Sequence, residues 1–189
     1  MYQMLCRFNL PKNFRGRSGA FVQLWWMTQS ILFASSPQFL YGWRNWLLRI
    51  FGAKIGKGVI IRPSVRITYP WKLTIGDYAW IGDNVELYTL GEIVIGNNAV
   101  ISQRSYICTA SHDHTKPTFD IYSVKTVIED EAWVATDVYV APGVTIGRGA
   151  VIGARSSVFS DMPAGMICVG SPAKPIKPRI MDENYVSQP

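Results

Sequence analysis

One aliphatic residue recurs every six positions through most of this 189-residue chain, and three such hexads make a larger unit. Ile55, Ile61 and Ile67 open the first set, Ile75, Ile81 and Leu87 the second, and Ile95, Ile101 and Ile107 the third. Ile128, Val134 and Val140 follow after a gap, then Ile146, Ile152 and Val158. A small or β-branched residue stands four positions after most openers, as at Val59, Ala79, Ala99, Ser105, Ser111 and Ala150, and glycine often follows the opener directly. A fixed hexapeptide period is the mark of a parallel β-helix, in which each repeat buries its apolar side only against its neighbours. The expected fold is therefore mainly β: three hexads form one triangular coil, every opener points inward, and the small residue fits the corner.

The period divides the chain. Residues 53–169 read as the β-helix, with Leu73-Thr74 and Ile93-Val94 as small insertions and an extruded loop at 113–127 that contains Pro117. Such loops usually lie on the binding face. Residues 1–52 precede it. Residues 1–19 read as a basic, loosely structured lead-in without the apolar stretch of a secretory signal. Residues 20–52 read as apolar helices. In the second helix Phe39, Trp43, Trp46, Leu47 and Ile50 recur at helical spacing, with Arg44 and Arg49 off that face. The apolar run of the first is short for a membrane span, which needs about 20 residues. Two compatible roles remain for 20–52: capping the open end of the solenoid, or peripheral contact with the inner face of a membrane. Residues 170–189 read as a basic tail that leaves the solenoid, because Pro172, Pro175 and Pro178 oppose strand pairing.

Composition sets outer limits. The 48% hydrophobic and 17% charged content excludes a disordered chain, and the net charge of +6 suits an anionic partner. The cations are scattered, which argues against nucleic-acid binding. Cys6, Cys108 and Cys168 form neither a disulfide framework nor a zinc knuckle, so a reducing, cytoplasmic location is expected.

The only histidines, His112 and His114, stand where the long loop leaves the solenoid, in Thr109-Ala-Ser-His-Asp-His-Thr115. Imidazole exchanges a proton near neutral pH, so His112, placed just beyond the inward Ser111, is the candidate general base. Asp113 or a loop carbonyl would orient its ring. Asp83, Tyr88 and Trp80, on the preceding coil, are candidates to line an acceptor pocket. No nucleophile elbow, phosphate loop or metal-ligand cluster is present in the sequence.

The segments Pro63–Trp71, Cys108–Asp113, Trp133 with Pro142–Gly147, and Gly170–Lys174 resemble those of the left-handed β-helix, hexapeptide-repeat acyltransferases. Within that family they resemble the colanic-acid-biosynthesis acetyltransferases, relatives of the maltose and galactoside O-acetyltransferases. The resemblance implies left-handed coiling, against the general preference for right-handed crossovers. It also implies a homotrimer with acetyl-CoA bound between neighbouring solenoids and a sugar or glycan hydroxyl as acceptor. His112 matches the catalytic base, Trp133 the aromatic residue bordering the acetyl and pantetheine end, Thr136 and Ala154 positions along the pantetheine arm, and Lys174 a cation near the nucleotide phosphates. The family often carries Thr-Lys before Asp161-Met-Pro163, where this chain has Phe159-Ser160; Arg155 or Lys177 would supply the missing cation. Transfer to an amino sugar and a catalytically inert scaffold are the alternatives. A zinc enzyme on the same solenoid would need three protein ligands, and two histidines in one loop do not provide them.

Overall fold

The computed structural model describes residues 2–182 and shows a left-handed parallel β-helix whose three faces correspond to the three hexads of each set. The first face holds strands Lys54–Ile55, Leu73–Ile75, Ile93–Ile95, Thr126–Ile128 and Thr145–Ile146. The third holds Arg66–Ile67, Glu86–Tyr88, Tyr106–Cys108, Tyr139–Val140 and Ser157–Val158. The second begins with Ile60–Ile61 and runs through Trp80–Ile81, Val100–Ile101, Trp133–Val134 and Val151–Ile152 to Met166–Gly170 and Ala173–Pro178. Openers stack in register, Ile55 on Ile75 on Ile95 and Ile61 on Ile81 on Ile101. From Ile61 to Val158 they are buried in one continuous core. Met162 and Cys168 extend two of these columns beyond the last opener, over Ile146 and Ile152.

The glycine after a first-face opener is a steric requirement. A Cβ at Gly76 would lie 2.7 Å from the Asn97 amide nitrogen of the next coil. Beside it, the corner between the first and second faces is laced by side chains: the Asp77, Asn97 and Asp130 carbonyl or carboxylate oxygens accept from the Lys57, Asp77 and Asn97 amides at 2.9, 2.8 and 2.7 Å.

Several expectations change. Leu73 and Ile93 are buried strand residues, and the added length lies just before them, in a 3-10 turn at Pro70–Lys72 and in Thr89–Gly91. The extrusion is a β-hairpin, strand Ala110–His112 pairing antiparallel with Ile121–Ser123, while Thr126 and Val127 already belong to the first face. Ser111 consequently lies exposed on the hairpin. Ala173–Pro178 does pair, as an antiparallel edge strand on Met166–Gly170 with a register shift at Ile167/Cys168; an edge strand tolerates proline because it has only one hydrogen-bonded side. Residues 183–189 of the expected tail lie outside the described residues. The lead-in is packed: Met4 donates its amide to the Pro117 carbonyl at 2.7 Å, Trp71 its indole N–H to Arg15 O at 2.7 Å, and Lys72 its ammonium to Phe14 O at 2.7 Å.

Helices α1 (Gly19–Thr28) and α2 (Tyr41–Ile50) close the open end of the solenoid. Within the ladder, the carbonyls of Ile75, Ala79, Ile81 and Leu87 accept amides from the coil before. The equivalent carbonyls of the first coil have no such coil. Ile55 O accepts from Arg49 at 2.9 Å, Val59 O from Asn45 at 2.8 Å, Ile61 O from Arg44 Nε at 2.7 Å and Ile67 O from the Trp25 indole at 2.8 Å. Arg44 is fully buried and spends its remaining donors on Ser36 Oγ and the Pro37 and Gln38 carbonyls. Burial pulls its pKa below the ordinary arginine value, offset by Tyr41. The inward face of α2 is thus Arg44, Asn45, Leu47 and Leu48, and the expected apolar face of Phe39, Trp43, Trp46 and Ile50 points outward.

Two substitutions test this. Ile101→Asp puts an unpaired charge at a fully buried position. It is expected to abolish soluble expression, and a folded, soluble product would refute the inward placement. Arg44→Ala strands the buried Ile61 carbonyl and removes the donor from the buried Ser36 hydroxyl and the part-buried Pro37 and Gln38 carbonyls, and is expected to cost about 3 kcal/mol, lowering Tm by roughly 6–12 °C in thermal unfolding.

Candidate active site

His112 ends the outgoing strand of the hairpin, at the corner between the third and first faces. Its Nδ1 lies 2.7 Å from the Phe119 carbonyl oxygen. A carbonyl only accepts, so Nδ1 donates to it and Nε2 is the nitrogen left to accept a proton. The His112 ring also stacks on the Phe119 ring, with centroids 4.2 Å apart and planes 8° from parallel, and Phe8 of the lead-in closes in at 6.0 Å. Phe119 itself sits at φ 52°, a region that bulky residues seldom occupy and that clusters at functional sites.

The ring is therefore oriented by a loop carbonyl. Asp113, the other candidate for that task and a candidate for the substrate, is committed to the turn. Its carboxylate accepts from the Thr115 hydroxyl at 2.6 Å and amide at 3.0 Å, and Lys116 lies 3.8 Å away. These Thr115 hydrogen bonds, foremost, hold the Asp113 carboxyl below its usual range, and the Thr118 hydroxyl with Lys116 does the same for Asp120. Asp113 and Asp120 also join through backbone at 2.8 Å. Tyr88 lies at the base of the same corner, packed on the cluster of Tyr69, Leu90 and Ala110. It begins a column of rings along the third face, Tyr88, Tyr106, Tyr139 and Phe159, spaced 5.8, 6.0 and 5.8 Å. Burial, then Cys108, pushes the Tyr139 phenol up to about 12.

The remaining candidates lie elsewhere. Trp133 is on the second face, half exposed, its indole N–H donating to Ser102 Oγ at 3.0 Å. Trp80 and Asp83 line a cavity of about 360 Å³ on that face together with Arg62 and Ser102. Asp83 accepts from Ser64 at 2.9 Å and lies 3.5 Å from Arg62. Thr136 and Ala154 follow the paired strands Trp133–Val134 and Val151–Ile152, one coil above the other at the corner of the second and third faces. Thr136 donates to Gln103 O at 3.0 Å. Lys174 is exposed on the edge strand of the second face. One chain thus carries two groups: His112, Tyr88 and the lead-in aromatics at one corner, and Asp83, Trp133, Thr136, Ala154 and Lys174 on the second face and its far edge. Phe8 and Phe119 were not singled out in the sequence. Nothing local to Phe8 marks it, since it reaches His112 from more than a hundred residues away. Among the described residues, no three His, Cys, Asp or Glu side chains are grouped to hold a metal ion.

Known proteins supply the class. Residues 125–160 match the bacterial transferase hexapeptide family, six repeats. A hexapeptide-repeat acetyltransferase of Vibrio cholerae, solved with acetyl-CoA, superposes with a TM-score of 0.79 at 25% identity over 88% of this chain and 92% of that one. A maltose O-acetyltransferase of Clostridium difficile 630 does so with a TM-score of 0.78 at 25% identity, over 87% and 90%. The solenoid is that of the hexapeptide-repeat acyltransferases. More particularly, the chain is 61% identical over 181 residues to WcaF of Escherichia coli (strain K12), by name a colanic acid biosynthesis acetyltransferase, covering 96% of this chain and 100% of that protein. It belongs to the hexapeptide-repeat acetyltransferases.

Because Asp113 serves the turn, Asp113→Asn, which keeps an acceptor for Thr115, is expected to leave acetyl-transfer turnover within about threefold. A drop of about a hundredfold would reassign Asp113 to the histidine. The lowered carboxyls of Asp113 and Asp120 set the sign of the pH dependence. Their contribution to hairpin order is complete above the ordinary carboxylate range and is lost as pH falls through their depressed values. Protection of the hairpin amides, referred to the intrinsic exchange rate at each pH, should therefore fall on acidification.

Proposed function

We propose that the protein transfers acetyl from acetyl-CoA directly to a sugar hydroxyl in the synthesis of an exopolysaccharide or surface glycan, with His112 as general base. The observation that carries this reading is the Nδ1 contact to the Phe119 carbonyl, which leaves Nε2 free to accept a proton. The acceptor hydroxyl hydrogen-bonds to Nε2. As its oxygen attacks the thioester carbonyl, the proton passes to the imidazole. The tetrahedral intermediate collapses, the C–S bond breaks, and the imidazolium returns the proton to the thiolate of CoA. No acyl-enzyme forms. In this reading Trp133 borders the acetyl and pantetheine end, Thr136 and Ala154 follow the pantetheine arm, Lys174 meets phosphate, and Tyr88 and Asp83 flank the acceptor. The relatives named for sugar and glycan acetylation support the acceptor class.

The two groups of candidates on separate parts of one chain support a shared site. In a homotrimer, the His112 corner of one subunit meets the second face of its neighbour, and the enzyme works in the cytoplasm, where acetyl-CoA is made.

His112→Ala should fold, with an unchanged melting profile, and lose about 10²–10⁴-fold in turnover. Full turnover in that variant would end the assignment. A panel of sugars, polysaccharide repeat units and amino sugars then names the acceptor and separates ester from amide product. Shared sites predict complementation. His112→Ala and a groove-blocking Ala154→Trp, each inactive alone, should regain about a quarter of the wild-type sites when randomly mixed in one trimer. No recovery would place both residues in a single-subunit site.

A further inference from the structure

Among the described residues, nothing covers the outer face of the cap. Leu24, Met27 and Ile31 follow one another along α1 and the turn of π-helix after it, Phe39 stands in the turn before α2, and Trp46 and Ile50 lie along α2; each exposes half or more of its surface. Trp43 stacks on Trp46 with centroids 5.1 Å apart and donates its indole N–H to the Leu32 carbonyl at 2.9 Å, which ties the two helices into one plate. Trp25, Arg44, Asn45 and Arg49 turn donors the other way, onto the first coil. A large exposed apolar patch on a folded chain marks a contact surface.

Charge selects the occupant. Residues 1–76 contain eleven of the nineteen Lys and Arg residues and none of the thirteen Asp and Glu; Asp77 is the first carboxylate in the chain. Residues 77–189 reverse the balance, eight cations against thirteen carboxylates. Lys12, Arg15, Arg17, Arg49, Lys54 and Arg66 are exposed on the lead-in, cap and first coil. A second copy docking through this face would bring like charges together. Among the described residues, no helix is long and apolar enough to cross a membrane. Aromatic and aliphatic side chains on a plate of in-plane helices with cations at the same end fit the headgroup and upper acyl region of an anionic bilayer.

We infer that the capped end of the solenoid docks on the surface of an anionic lipid bilayer, with the outer faces of α1 and α2 entering the headgroup region and the surrounding cations meeting lipid phosphate. The catalytic assignment is independent of this docking.

Co-sedimentation of the full-length protein with vesicles tests it, using phosphatidylcholine alone and a mixture with phosphatidylglycerol. The wild type should bind the anionic vesicles, release in high salt and leave neutral vesicles largely unbound. The double variant Phe39→Glu, Trp46→Glu should lower the partition coefficient about tenfold or more, with thermal unfolding, assembly mass and turnover on a soluble acceptor unchanged. The pair Arg17→Gln, Lys54→Gln, which leaves the apolar plate intact, should weaken binding several-fold and flatten its salt dependence. Equal binding to both vesicle types, or full binding by the Glu variant, overturns the inference. So does a Glu variant that loses assembly mass, which would make the plate a contact between copies.

Discussion

A parallel ladder has a beginning, and the beginning leaves carbonyls without amides. Each coil here receives hydrogen bonds from the coil before it, so the first must be supplied from outside the repeat. Side chains of α1 and α2 supply it: the Trp25 indole, the Arg44 and Arg49 guanidinium groups and the Asn45 amide take the places of missing backbone N–H groups on all three faces. Unsatisfied carbonyls in a buried layer each cost about 1–3 kcal/mol, so the repeat is stable only with such a cover. The guanidinium suits the central position because it carries five donors, and Arg44 spreads them over four acceptors, three carbonyls and one hydroxyl.

The same requirement explains why hydrophobic periodicity misreads the cap. An amphipathic helix normally buries its apolar stripe because water is the alternative for its polar side. Here the inner surface is a row of carbonyls around an apolar core, and the residues chosen to face it are donors as well as hydrophobes. Trp25, Arg44 and Asn45 go inward beside Leu47 and Leu48, and the stripe with cleaner helical spacing is left outside. Spacing identified the helices; only the chemistry of the surface beneath them decides which side is down.

Openers, corner glycines and coil order were legible because each is repeated and local. The C-terminal strand was not: Pro172, Pro175 and Pro178 argue against a central strand but not against an edge with a register shift. At the site, His112 was legible by residue type and by its place at the break in the period. Its setting was not. The residue beside it, Asp113, has the chemistry to orient an imidazole, yet local geometry gives it to Thr115 and hands the ring to the Phe119 carbonyl. Phe8 reaches the ring through a packed lead-in whose basic composition reads as unstructured.

The corners of the solenoid are unequal, and this determines where chemistry is placed. The corner between the first and second faces is locked by left-handed turn residues, from Gly58 and Tyr78 to Asn98 and Glu131, and by the Asp77, Asn97 and Asp130 ladder. The corner between the second and third repeats the device with Asn84, Arg104, Asp137 and Arg155. Added residues in either would break a hydrogen-bonded column. The third corner is built differently. Buried Thr89, Thr109 and Thr126 bridge neighbouring coils there: Thr89 accepts from the Tyr69 amide, while Thr109 and Thr126 accept from Gly91 and Gly143 and donate to the carbonyls of Tyr88 and Cys108. Hydroxyl bridges hold the coils together without fixing the length of chain that leaves between them. The 3-10 turn at Pro70–Lys72, the turn at Thr89–Gly91 and the hairpin bearing His112 all leave at this corner. A rigid scaffold with one permissive edge confines variable chain to that edge, and the histidine stands on the longest excursion from it.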